Sequence, residues 1–150
     1  MPKLDQAPKK PMDKFRKIYG SIEQPEKKAP AMPVTISDIT SDKLSNLMTR
    51  YTAWREYTED LLQDSLCEQL KLEEEYEIQY GSKLLLISGK NKDERQAKIF
   101  NEYPQVKKIY LSLGEAEMYH TLLQKKLESF TNCLTVISRE ITRRSTNGSS

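Results

Sequence analysis

Glycine is scarce, at five residues in 150, histidine and tryptophan occur once each, and cysteine twice. Each shortage removes a class of function. Two cysteines do not make a disulfide framework; Cys67 and Cys133 fall inside helical patterns among apolar neighbours, which suggests two buried thiols in a reduced compartment. A single histidine, with no CxxC or HxxxH spacing, argues against zinc. With glycine sparse and no G-x-S-x-G spacing, there is no elbow for acyl transfer. No apolar run approaches the roughly 18 residues that a membrane span needs. The opening MPKLDQAPKKPMDKF lacks the apolar core of a signal peptide, so a soluble intracellular chain is expected.

Proline is absent over a long stretch. Six of the seven prolines lie in residues 1–33, and the next is Pro104. The first segment alternates proline with lysine, glutamine and alanine, a composition that cannot offset its ordering entropy by burial. Residues 1–35 are therefore expected to be a disordered basic tail, with a small apolar cluster at Phe15, Ile18 and Tyr19. Residues 1–33 hold eight Lys/Arg against four Asp/Glu, whereas the rest holds sixteen against eighteen. A basic tail on a near-neutral body hints at a polyanion contact, although a solvated tail is the simpler reading.

What the chain does have is helical periodicity. Hydrophobic content is 37% and charged content 31%, lean for a compact globule and suited to long exposed helices. Asp38 or Ser41 is expected to cap a first helix. Leu44, Leu47, Met48, Tyr51, Trp54, Leu61, Leu62, Leu66, Leu70 and Leu72 then return at spacings near three and four, along one helix running to about Tyr80. Downstream, Val106, Ile109, Leu113, Ala116, His120, Leu123, Leu127, Phe130, Leu134, Ile137 and Ile141 alternate strictly by three and four. This is a heptad seam, on a helix from about Glu102 to Arg144 that would span roughly 60 Å. Pro104 fits its first turn and Arg139, Arg143 and Arg144 its last. The expected fold is all-α: a long antiparallel helical hairpin over residues 36–145 with a coiled-coil-like heptad seam, and a frayed end over 146–150. The seam is expected to form the shared core of a homo-oligomer.

Between the helices stands LLLISGKNKDERQAKIF, from Leu84 to Phe100. Strand, Gly-Lys loop and helix is the outline of a phosphate-binding loop. The motif, however, needs a glycine five residues before Gly89, where Leu84 stands, and a hydroxyl after Lys90, where Asn91 stands. Without them there is no phosphate cradle and no magnesium ligand. Ser88-Gly89 is instead expected to end the first helix with a left-handed cap. The following KDERQAKIFNEY is compatible with a helical piece.

Other candidates for chemistry are weak. His120 lies on the seam without a triad pattern, and a polar seam residue more often fixes register. The run Glu73 to Glu77 lacks the spacing of a calcium loop and suits a solvated helix face. Nothing argues for an enzyme, and no metal or cofactor is expected. Polyanion binding remains. One candidate patch is the tail, with Lys3, Lys9, Lys10, Lys14, Arg16 and Lys17. A second is the interhelical turn, with Lys83, Lys90, Lys92, Arg95 and Lys98, to which Lys107 and Lys108 add charge. The third is Arg139, Arg143 and Arg144. Such cations track a phosphate backbone, and Tyr103 and Tyr110 are candidates for stacking on bases, though core packing is their commoner use.

Tyr51-x-x-Trp54 in the first helix, Tyr80-Gly81 at its far end, a lysine-rich connection and a last helix ending VISREITRR together form a layout. Over about residues 42–144 it resembles the small recombination mediators of tailed phages, the UvsY type, and related small helical phage proteins. The resemblance implies a ring-like helical oligomer in the cytoplasm of an infected cell. It would bind single-stranded DNA and help a recombinase displace the single-strand binding protein. Lys90 and Lys92 would be the nearest equivalent of the family's basic segment. The rival expectation is a structural or assembly protein, such as a virion or scaffold component, working through helix-mediated protein contacts. A third is a small regulator docking through its tail.

Overall fold

The computed structural model describes residues 22–148. Among them the fold is all-α, with a single 3-10 turn, Ile36–Asp38, and three helices: α1 (Ser41–Leu84), α2 (Lys92–Glu102) and α3 (Pro104–Asn147). No strand occurs among the described residues. The expected tail contacts at Lys3 to Lys17 and the Phe15 to Tyr19 cluster lie outside the described residues.

The caps explain where the helices begin. Thr40, rather than Asp38 or Ser41, opens α1: its Oγ1 accepts the Lys43 N–H at 3.3 Å and its carbonyl accepts the Leu44 N–H at 2.9 Å. Asn91 caps α2 by accepting the Glu94 N–H at 2.8 Å, and Glu94 reaches back to the Lys90 N–H at 3.0 Å. The arrangement is close to a capping box, with asparagine in the place of serine and the glutamate accepting from the residue before the cap. Tyr103 alone joins α2 to α3. Its N–H donates to Ile99 at 2.7 Å and its carbonyl accepts from Val106 at 3.0 Å. Pro104 opens α3, where its missing N–H leaves nothing unsatisfied.

The first helix ends earlier than Ser88-Gly89. α1 stops at Leu84, and Leu86 closes a turn onto the Lys83 carbonyl at 3.0 Å. Gly89 has no left-handed conformation. It is small because Arg95 crosses it: an added Cβ would stand 2.7 Å from Arg95 Cγ and 3.3 Å from the Arg95 nitrogen. At the other end α3 runs on to Asn147, so Arg139 lies about two turns before the end and not in the last turn.

The chain divides into two compact units. Among the described residues, the terminal unit draws on 22–62 and 122–148, and the turn unit on Gln63–Thr121. In the terminal unit Leu44, Tyr51, Trp54, Phe130, Leu134 and Ile137 form one buried cluster. Tyr51 and Trp54 meet the Phe130 ring at centroid distances of 6.0 and 6.1 Å. Each such side chain contributes about 1.5–3 kcal/mol on burial.

Residues 22–35 belong to this unit and are not a free tail. Ala29 and Met32 pack on the core, the Tyr51 hydroxyl donates to the Pro30 carbonyl at 2.9 Å, and Arg50 forms a two-pronged ion pair with Glu26. That pairing holds the Glu26 carboxyl below the usual range.

Among the described residues of the turn unit, the buried hydrophobic ones are Ile99 and Val106, on either side of the Tyr103 joint. Around them Tyr76 stacks on Tyr80 at 5.3 Å and tilts against Tyr110 at 5.6 Å, while Phe100 tilts against Tyr110 at 5.2 Å. Burial pushes the Tyr76 phenol up, against the lowering effect of its hydrogen bond to Gln96.

The seam positions form the covered face of α3. Val106, Leu123, Phe130, Leu134 and Ile137 are buried; Ile109, Leu113, Ala116, His120, Leu127 and Ile141 are half-buried. A single chain provides that cover. Cys67 and Cys133 are free thiols and only half-buried.

Candidate nucleic-acid interface

The turn unit gathers the interhelical cations, and the structure sorts them by what they already hold. The Lys83 ammonium sits 4.5 Å above the centre of the Tyr103 ring, a cation–π contact. Lys98 donates to the Ser88 carbonyl at 2.9 Å and pairs with Glu94 at 3.4 Å. Arg95 is half-buried, its stem against Gly89. These three residues hold the turn in shape. Glu94 is held below the ordinary carboxylate value, first by the Lys90 N–H and then by Lys98.

Lys90, Lys92, Lys107 and Lys108 are different. All four are exposed. Among the described residues, none has a carboxylate within ion-pair distance. Asp93 and Glu94 interrupt the patch, while Lys107 and Lys108 stand in the first turn of α3, which holds no acidic residue. Tyr103 carries Lys83 on its face, so its ring is engaged within the chain. Tyr110 touches Tyr76 and Phe100 yet keeps 43% of its surface exposed, so it has an open side.

The C-terminal arginines do not form the free cationic patch expected of them. Glu140, only 7% exposed, takes Arg143 at 2.7 and 2.9 Å and Arg144 Nε at 2.9 Å. Arg144 then reaches across the terminal unit. It donates to the carbonyls of Ile39 at 2.7 Å, Ile36 at 3.3 Å and Ser37 at 3.4 Å, and to Ser41 Oγ at 3.2 Å. A planar guanidinium with five donors suits this work. The two guanidiniums, Arg143 first, hold the Glu140 carboxyl at about 2. Arg139 and Arg143 are both exposed, Arg143 while paired with Glu140.

His120 is half-buried on the seam, with its Nδ1 lacking a hydrogen-bond partner. Among the described residues no group of three or more His, Cys, Asp or Glu side chains could hold a metal ion. No described helix is long and apolar enough to cross a membrane.

Sequence reasoning missed Asn91 and Glu94 as shapers of the turn, although N-x-x-E spacing before a helix is a cap signal. It also missed Arg144 as a clamp, and there no signal existed, because the partners are carbonyls more than 100 residues upstream. Comparison with protein-family models, curated proteins and solved structures finds no match.

Proposed function

We propose that this chain is a non-enzymatic accessory protein that binds single-stranded DNA through its backbone charge, in phage-type recombination or replication. The observation that carries the proposal is the set of four exposed, unpaired lysines in the turn unit: Lys90, Lys92, Lys107 and Lys108. Phosphates would take the place of the missing carboxylates, and the open side of Tyr110 would offer one stacking surface. The layout that resembles phage recombination mediators supports the same reading, with a recombinase as the further partner. In this proposal α1 and α3 are the arms of one antiparallel hairpin with a heptad seam, and several copies associate. Within one chain five of the eleven seam positions are buried and six half-buried, so association would draw on other faces as well as the seam.

A salt titration with a fluorescent oligothymidine tests this. Affinity is expected to fall linearly on a log–log plot, with a slope of about −0.7 per phosphate contacted. Lys90→Glu with Lys92→Glu should weaken binding on all sequences alike and flatten the slope. Absence of binding at about 50 mM salt would overturn the proposal.

A second reading, an assembly protein acting through helix contacts, is favoured by one observation. Most of the large exposed hydrophobic residues fall in the turn unit, among them Leu66, Leu70, Ile78, Leu85, Leu86 and Met118.

A further inference from the structure

Two of those residues are unusual in kind. Leu85 and Leu86 are adjacent, 88% and 68% exposed, and lie on a turn. The turn is tied at both ends. Leu86 bonds back to Lys83, Lys98 grips the Ser88 carbonyl, and Arg95 packs on Gly89. The backbone therefore holds two leucines out into water in a set geometry. Backbone-charge binding to DNA gives them no use. Residues 83–92 carry three lysines and no acidic residue.

The matching surface lies on α1, ahead of that turn. Leu66, Leu70 and Ile78 are 43%, 53% and 61% exposed. They follow a ridge of α1 at spacings of four and eight, so they share a face. Glu74 continues that ridge, and it lines a depression of about 480 Å³ with Lys71, Glu75, Ile78 and Gln79. Residues 66–81 hold five glutamates against one lysine. The chain thus carries an apolar tip in a positive setting and an apolar face in a negative one. It does not join them itself, since the leucines remain exposed.

We infer that the Leu85–Leu86 tip of one copy docks on the Leu66–Leu70–Ile78 face of α1 in a second copy. This rests on the self-association proposed above and names its surfaces. Leucine burial supplies the contact, and opposite charge steers it and sets its polarity. The contact is heterologous, since tip and face are different surfaces. Repetition then gives rings where the rotation closes and filaments where it does not.

Light scattering and sedimentation on the full chain test the inference. Wild type is expected to exceed monomer mass at micromolar concentration. Leu85→Asp with Leu86→Asp removes the tip, and Ile78→Asp with Leu70→Asp removes the face. Each should weaken association by about 100-fold or more. All four positions are exposed, and circular dichroism will check that the helices persist. Mixed together, the two variants should form a 1:1 heterodimer and nothing larger, because only one tip and one face survive. If wild type is oligomeric and either variant keeps its mass, the inference fails while association stands. Two monomeric variants that do not pair on mixing also overturn it. A monomeric wild type at about 100 μM would sink both the inference and the proposed association, leaving the oligothymidine titration as an independent readout of DNA binding.

Discussion

The terminal unit and the turn unit use the same two long helices to different ends. In the terminal unit six large side chains bury one another, a proline-containing strap covers them, and Arg144 ties the start of α1 to the end of α3. In the turn unit, Ile99 and Val106 are the buried hydrophobics, and leucines, a methionine and tyrosines stay in contact with water. The difference lies in how much apolar area each unit buries within the chain. Apolar area removed from water within the chain holds a fold together, and apolar area left exposed is available to a partner.

The sharpest way to break this comparison is to open one core and then the other. Phe130→Ala is expected to cost about 3–5 kcal/mol, seen as a lower urea midpoint. Ile99→Ala should cost about 2 kcal/mol or more, since Ile99 is fully buried. Hydrogen exchange after Ile99→Ala should show protection lost mainly within Gln63–Thr121. An equal loss throughout the chain would erase the distinction between the units.

Acid should act next. Glu140 has its folded pKa lowered to about 2 from an ordinary 4.5. A lowered carboxyl stabilises the fold above its unfolded value and loses that contribution as pH falls from about 4.5 towards 2. Denaturant midpoints at pH 7 and pH 3 are expected to differ less in Glu140→Gln than in wild type. An unchanged acid dependence would show that the Arg143–Glu140–Arg144 cluster adds little.

The smallest effect belongs to the turn. Asn91→Ala removes one cap and should cost about 1 kcal/mol, read as faster exchange in α2 with the terminal unit unaltered.

The sequence showed periodic features more clearly than singular ones. The helix that carries the eleven periodic positions was legible because such spacing is local; five of those positions are buried and six half-buried. The turn lysines were legible as charge, while their separation into structural Lys83 and Lys98 and exposed Lys90 and Lys92 was not, since it depends on Tyr103 and Ser88 lying within reach. Composition misjudged residues 22–35. Proline and lysine suggested disorder, yet one carbonyl at Pro30 and one carboxylate at Glu26 suffice to fasten the segment to α1. Arg143 and Arg144 looked like free charge, although their spacing of three and four from Glu140 on one helix was readable; the backbone oxygens that Arg144 also holds have no sequence signature.

The bond between Tyr51 and Pro30 makes the strap a chromophore's partner. Burial, with the neighbouring Cys133 thiol, pushes the Tyr51 phenol up to about 12. Only the protonated phenol can donate to the carbonyl, so the bond is whole below an ordinary tyrosine value of 10 and fades as pH climbs to about 12. Phenolate and phenol differ in ultraviolet absorption. The chain has eight tyrosines, so the difference between alkaline titrations of wild type and Tyr51→Phe would give the fastening of residues 22–35 an optical signal, with no label attached to the chain.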